Sequence, residues 1–224
     1  LVLCRYEQYR AALAQDRAFL RRIMSLPFAV PGPDFVEAQQ TLEQDEGVYP
    51  TTAPGLERLK PVLPAGTVTY ASQTHPADGN AAIVVAGRGA ARELSACPDI
   101  EVRILAFGQA RAESGHMPMA PVPAARRALA RAGVGVAQLK AIKTHNPFVV
   151  NDLVLAREFG LDPFRFNHYG SSLVWGHPQA PTGLRSIIEL IEELELAGGG
   201  IGLFTGCAAG DTAMAIVLQV ADSA

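Results

Sequence analysis

Two histidines and a cysteine recur in three similarly spaced turns: Thr144-His145-Asn146-Pro147-Phe148, Trp175-Gly176-His177-Pro178 and Gly206-Cys207-Ala208-Ala209-Gly210. Taken singly, each has an ordinary reading. His177 is a turn histidine touching solvent, His145 ends a strand, and Cys207 is a small buried hydrophobe. Together they offer a chemistry. A thiol becomes nucleophilic or basic only after losing its proton, and a nearby imidazole can take it. A second imidazole, or backbone N–H groups in a turn of small residues such as Ala208, Ala209 and Gly210, can donate to a developing oxyanion. The expectation is that the three loops converge on one pocket, where backbone amides could approach a substrate carbonyl.

The elements that must position these turns are legible in the pattern. Leu139 to Thr144 reads as a strand delivering His145, and Phe148 to Phe159 as a helix ended by Gly160. Ser171 to Trp175 reads as an extended stretch delivering His177. Thr182 to Ala197 reads as an amphipathic helix. Leu184, Ile187, Ile188, Ile191 and Leu194 form its apolar stripe, and Glu189, Glu192, Glu193 and Glu195 its wet face. Ile201 to Phe204 leads as a strand into Cys207, and Thr212 to Val220 returns. This alternation predicts a layered α/β unit, with reactive residues just after strands, where open α/β sheets place their sites.

Upstream, residues 5–26 read as one helix, with Tyr6, Tyr9, Leu13, Phe19, Leu20 and Ile23 on one side. Residues 27–55, rich in proline, glycine and acids, read as an irregular excursion long enough to be a lid. Leu56 to Pro61 reads as a short helix, and Gly66 to Ala71 as a strand. Ala81 to Ala86 reads as a strand buried on both faces. A helix over 88–96, a strand over Ile100 to Phe107, a proline-rich loop from Met117, and a helix from Pro123 to Ala132 closed by Gly133 complete the pattern.

With 224 residues, 49% hydrophobic and 18% charged, the chain can bury a sizeable core. A net charge of −3 without a basic stripe argues against nucleic acid as a partner. No apolar run approaches the ~18 residues of a membrane span. Three cysteines without CxxC spacing argue for a reducing compartment, hence cytoplasmic, and the scattered histidines offer no metal set. The chain opens on Leu1, within a helical pattern, so it is expected to belong to a longer or split protein.

The boxes carrying these residues resemble the thiolase superfamily. Asn167-His168-Tyr169-Gly170-Ser171-Ser172-Leu173-Val174-Trp175-Gly176-His177-Pro178, with Thr182-Gly183, resembles its glycine-rich GHP signature. Thr205-Gly206-Cys207-Ala208-Ala209-Gly210 resembles its C-terminal cysteine turn. His145-Asn146-Pro147-Phe148 stands where the family has its NEAF or HDCF box. Upstream, Gly66-Thr67-Val68-Thr69 with Asp78-Gly79, and Met117 with Pro121-Val122-Pro123-Ala124, resemble further boxes in the same order.

The resemblance implies a layered αβαβα thiolase-like fold. Residues 1–63 would be loop-domain helices and excursion, 64–98 the end of the N-terminal domain, and 99–224 the C-terminal domain. It implies acyl transfer on 3-ketoacyl-CoA, by thiolysis or Claisen condensation, with coenzyme A as co-substrate and no covalently bound cofactor. His177 is similar to the base that activates the nucleophilic cysteine, Cys207 to the cysteine that moves the second proton, and His145 to the first oxyanion-hole donor. The Ala209 N–H is similar to a donor of the second hole. Thr74, Met117 and Phe148 fall at substrate- or CoA-contacting places. The nucleophile itself belongs to an N-terminal half not in this sequence, so the chain alone is expected to be inactive and to need that half. The completed unit is expected to be a dimer or tetramer. Ala209 stands for a family glycine, while Tyr169, Ser171 and Trp175 are departures expected to bear on the acyl pocket. Two alternatives are a non-catalytic acyl-CoA-binding or scaffold subunit and a β-ketoacyl synthase relative, although the latter lacks a cysteine where Cys207 stands.

Overall fold

The computed structural model describes residues 1–222, so the last two residues of the 99–224 unit lie outside the described residues. Among the described residues, four strands form one mixed sheet in the order β3-β6-β5-β4: β3 Ile100–Arg111, β4 Leu139–His145, β5 Gly200–Ala208 and β6 Thr212–Asp222. β4 and β5 run parallel, whereas β6 is antiparallel to both β5 and β3. One face is covered by α5 (Pro121–Ala132) and α6 (Val149–Phe159), the other by α8 (Thr182–Leu196). Leu129, Ile142, Leu155, Phe166, Leu203 and Val217 close the first layer; Leu190, Leu194, Phe204, Leu218 and Val220 close the second. Removing this apolar surface from water is the main force holding the three layers together. Gly133 and Gly160 end α5 and α6 in the left-handed conformation, as expected.

The N-terminal segment departs from its expected form. Residues 5–26 do not make one helix. α1 (Val2–Ala12) and α2 (Ala14–Ile23) meet at a kink where Gln15, Asp16 and Arg17 take positive φ. The expected apolar side survives: Tyr9, Phe19 and Leu20 are buried against Val174 and Trp175. The 27–55 excursion is not wholly irregular, because β1 (Phe28–Pro31) and β2 (Ala38–Leu42) form an antiparallel hairpin. α3 (Ala53–Glu57) starts earlier than expected, with the Thr52 hydroxyl accepting from the Gly55 N–H at 3.2 Å.

Two expected strands are absent. Residues 66–71 are irregular, ending in a 3₁₀ turn at Tyr70–Ser72. Residues 81–86 form no strand, and Val84 and Val85 are 79% and 72% exposed. A strand exists only through the ladder it makes with a neighbour, and nothing among the described residues lies beside this apolar run to pair with it. α4 (Arg88–Leu94) follows as expected.

α8 forms where expected but turns differently. Glu189 and Glu193 are buried, while Leu184 is 37% exposed. The reason is Lys143, itself buried on β4, whose ammonium reaches Glu189 at 3.0 Å and the His168 carbonyl at 2.6 Å. A buried cation needs a paired anion, and that requirement outweighs the apolar stripe in setting the helix's rotation. Arg185, one turn before Glu189, pairs with it at 3.0 Å and also with Asp45 of the excursion. Burial alone would lower the Arg185 pKa, but the Asp45 and Glu189 carboxylates hold it above the ordinary value. Tyr9 completes this junction by donating to Asp45 at 2.9 Å. The excursion is therefore anchored by charge to the helix that follows the His177 turn.

Candidate active site

His145 is the last residue of β4, and Gly206 is its register partner on β5, so Cys207 emerges one residue beyond it. A Cβ added at Gly206 would lie 2.8 Å from the His145 Cβ, so this position must stay bare for the two strand ends to close up. The His177 turn arrives differently from the expected extended stretch. Ser172–Trp175 is a single helical turn, α7, whose residues are all buried. Gly176 then reverses the chain at φ +91°, and a side chain there would strike Ala77 at 2.7 Å.

The result is direct contact between two imidazoles. The His145 and His177 ring centroids lie 4.3 Å apart at a tilt of 32°. Each ring is oriented through its Nδ1. His145 Nδ1 lies 2.8 Å from the Ser172 hydroxyl, and His177 Nδ1 lies 2.8 Å from the Thr182 hydroxyl on the first residue of α8. When Ser172 donates to His145, the other ring nitrogen, Nε2, carries a hydrogen and can donate to an oxyanion. When Thr182 accepts from His177, Nε2 keeps its lone pair and can act as a base. The same hydroxyl chemistry thus supports opposite roles in the two rings.

Burial drives the His145 pKa down to about 3, and the neighbouring His177 adds to the effect. Burial also lowers His177. Both rings are therefore neutral near pH 7. The depressed His145 pKa makes stability pH-dependent. The unfolded chain takes up this proton near the ordinary value of 6.5, whereas the folded ring resists it until about pH 3. Its contribution is complete above pH 6.5 and is lost as pH falls from there towards 3, with a slope of about 1.4 kcal/mol per pH unit. His145→Asn is expected to flatten the pH dependence of unfolding free energy across that window, as measured by urea titrations at several pH values. An unchanged slope would remove His145 as its source.

Cys207 is buried and unbridged. Burial pushes its thiol up to about 11, opposed by a hydrogen bond from Asn151, whose Nδ2 lies 3.4 Å from Sγ. Asn151 sits in the first turn of α6, and its Oδ1 accepts from the Phe148 N–H at 3.3 Å.

The segment around Thr74 threads between the two histidine turns. Thr74 N–H donates to Pro147 O at 2.8 Å, its hydroxyl donates to Ser172 O at 2.5 Å, and the His177 N–H donates to His75 O at 2.8 Å. Gln73 bridges Phe148, and Pro76 bridges His177. Met117 lies in a 3₁₀ turn that packs against α6 and β5, while Ala209 lies in the exposed turn between β5 and β6. His145 and His177 thus touch directly, the 73–76 segment ties the His177 turn to the Pro147-Phe148 turn, and Cys207 stands on the adjoining strand end. Met117 and Ala209 border this end of the sheet. Tyr169 borders a small cavity with Lys140, His168 and Glu193, on the α8 side of the sheet. Tyr169 stacks on Phe19 at 3.9 Å, and Trp175 lies under Arg185 at 4.0 Å, so both serve to dock α1, α2 and α8.

Sequence reading missed Ser172, Thr182 and Asn151. Asn151 carries a signal, standing one helical turn after Phe148. The two hydroxyls carry none, because their roles depend on contacts across the fold. Beside Leu173, Val174 and His75 opens a cavity of about 410 Å³, also lined by Tyr6, Tyr49 and Tyr70.

A mixed sheet between helical layers, with a strand-end imidazole, a second imidazole against it and a thiol on the neighbouring parallel strand, defines an α/β protein. Residues 99–220 match the family model described as the thiolase C-terminal domain. The chain is 32% identical to a 3-ketoacyl-CoA thiolase of Photobacterium profundum and 34% identical to one of Pectobacterium atrosepticum. These alignments cover 93% and 94% of this chain and 51% of each relative. Its fold is similar to that of human mitochondrial 3-ketoacyl-CoA thiolase, with a TM-score of 0.82 at 26% identity over 97% of this chain and 54% of that one. The same human enzyme in complex with CoA gives a TM-score of 0.81 at 26% identity, covering 97% of this chain and 53% of that one. The chain belongs to the thiolase family. It spans about half the length of the curated relatives it matches. Among the described residues, no helix is long and apolar enough to cross a membrane.

Proposed function

We propose that this chain supplies the C-terminal half of an acyl-CoA C-acyltransferase that cleaves or forms 3-ketoacyl-CoA. The observation that carries this reading is the His145–His177 imidazole pair set beside Cys207 at the ends of two parallel strands. In the thiolysis direction, a cysteine from an N-terminal half loses its proton to His177 Nε2 and attacks the 3-keto carbon. The carbonyl oxygen becomes an oxyanion, and the C2–C3 bond breaks. The electron pair leaves as the acetyl-CoA enolate, with His145 Nε2–H and the Ala209 N–H as donors to the oxygens that carry negative charge along the path. The Cys207 thiol gives its proton to the enolate carbon. The resulting thiolate then takes the proton of incoming CoA, whose sulfur attacks the acyl-enzyme and releases the shortened acyl-CoA, and the departing cysteine thiolate takes back the proton held on His177.

In this reading residues 1–63 form the loop domain, 64–98 complete the N-terminal domain and 99–224 form the C-terminal domain. The unpaired apolar run 81–86 supports a sheet completed by another half. Cys4, on α1, meets the Phe164 carbonyl at 4.0 Å and Cys97 is exposed, which supports a nucleophile from outside this chain. Thr74, Met117 and Phe148 would face coenzyme A or the acyl group. The completed unit would be a cytoplasmic dimer or tetramer. The test compares thiolysis of acetoacetyl-CoA and longer 3-ketoacyl-CoA by this chain alone and by the complete protein. The chain alone should be inactive and the complete protein active, with iodoacetamide inactivating through a cysteine outside this chain. A complete protein that binds CoA without thiolysis would establish the scaffold alternative instead.

A further inference from the structure

We propose that Asn151 is a positioning residue for Cys207, holding an amide N–H on its sulfur so that the thiolate can form inside a buried site. This rests on the thiolase reading only in that Cys207 must pass through the thiolate there. Three observations carry it. The amide orientation is fixed from its other end: Oδ1 accepts from the Phe148 N–H at 3.3 Å, which turns Nδ2 towards Sγ at 3.4 Å. Asn151 is itself 3% exposed, so the contact is shielded from competing water. Asn151 also lies in the first turn of α6, an 11-residue helix whose N-terminal end carries partial positive charge. A donor and a helix end thus converge on a sulfur that burial otherwise keeps protonated.

A purely structural role predicts a different outcome on substitution. Asp at this position retains the shape and the oxygen that caps the Phe148 N–H, but it exchanges the donor facing sulfur for a second acceptor bearing charge. If Asn151 serves only as a cap, Asn151→Ala leaves the Cys207 midpoint unchanged, whereas the Asp carboxylate raises it in either case by like charge. If it sustains the thiolate, Asn151→Ala raises the midpoint as well.

The experiment is a pH titration of the Cys207 thiol in the complete protein. It would follow the ¹³Cβ signal of labelled cysteine, assigned by its loss in Cys207→Ala. Relative to wild type, the midpoint should rise by about one pH unit in Asn151→Ala, a tenfold smaller thiolate fraction at fixed pH, and by more in Asn151→Asp. Coincident midpoints in wild type and Asn151→Ala would overturn the proposal. Should Asn151→Ala fail to fold, Asn151→Leu, which keeps the volume and removes the donor without adding charge, decides the matter in its place. The titration needs no turnover. A complete protein without thiolysis would therefore sink the proposed function and leave this result standing, and active enzyme with an Asn151-independent titration would do the reverse.

Discussion

In the complete enzyme, Cys207→Ala is expected to slow thiolysis by about 10²- to 10⁴-fold while leaving the fold in place. The rate loss is that of a general acid–base group. Without the thiol, neither the enolate carbon nor the CoA sulfhydryl has a proton partner at this strand end. The structural cost is small because alanine removes one buried heavy atom from a site already flanked by Gly206 and Ala208, about 1 kcal/mol by the scale of single-group core truncations. Steady-state thiolysis and a thermal melt on the same preparation separate the two effects. Exchange of the acetyl-CoA methyl protons with deuterated solvent should vanish together with turnover. Turnover within a factor of a few of wild type would remove Cys207 from the mechanism, and a collapsed melt would mean that the residue is chiefly structural.

The largest stability effect is expected at Asp152. Its carboxylate and the Arg5 guanidinium are both fully buried and meet at 2.8 Å. The same carboxylate accepts from Arg5 Nε at 3.1 Å, the Thr144 hydroxyl at 2.5 Å and Asn146 Nδ2 at 2.7 Å. Asp152→Ala leaves the Arg5 charge buried without a counterion, and such a loss costs about 3–5 kcal/mol. Removing both charges with Arg5→Met and Asp152→Leu is expected to recover much of that, since the penalty lies in the unpaired ion rather than in the absence of the pair. Urea unfolding of the three proteins checks this, and a single-variant loss below about 1 kcal/mol would contradict it. The effect extends to the site, because Thr144 and Asn146 flank His145. The Asp152→Ala protein should therefore also lose activity beyond what its unfolded fraction explains.

Much of this was legible in the chain, for identifiable reasons. The strands ending at His145 and Cys207 are short apolar runs that stop at turn residues. The helices on either side of the His145 strand announce their ends through Gly133 and Gly160. Such local signals survive any tertiary context. The expected strand at 81–86 failed on the opposite ground, because its apolarity was read correctly but strand formation depends on a neighbour. The wet face assigned to α8 failed because Glu189 and Glu193 look like surface acids until Lys143 is known to lie beneath them. Ser171 to Trp175 looked extended from its delivery of a turn, whereas burial between α1 and the sheet favours a helical turn that satisfies its own backbone.

By itself the sequence determined the residue types and order of a thiolase C-terminal region: two histidines and a cysteine, each placed after a strand or beside a glycine. Those are properties of local pattern and spacing. Only the tertiary structure decided which ring nitrogen each histidine presents, through Ser172 and Thr182, and which group faces the thiol, through Asn151. It also decided how buried charges rotate α8 against the sheet. These depend on contacts between segments far apart in the chain, where one hydrogen bond engages Nδ1 and leaves Nε2 facing the site, which no linear spacing records.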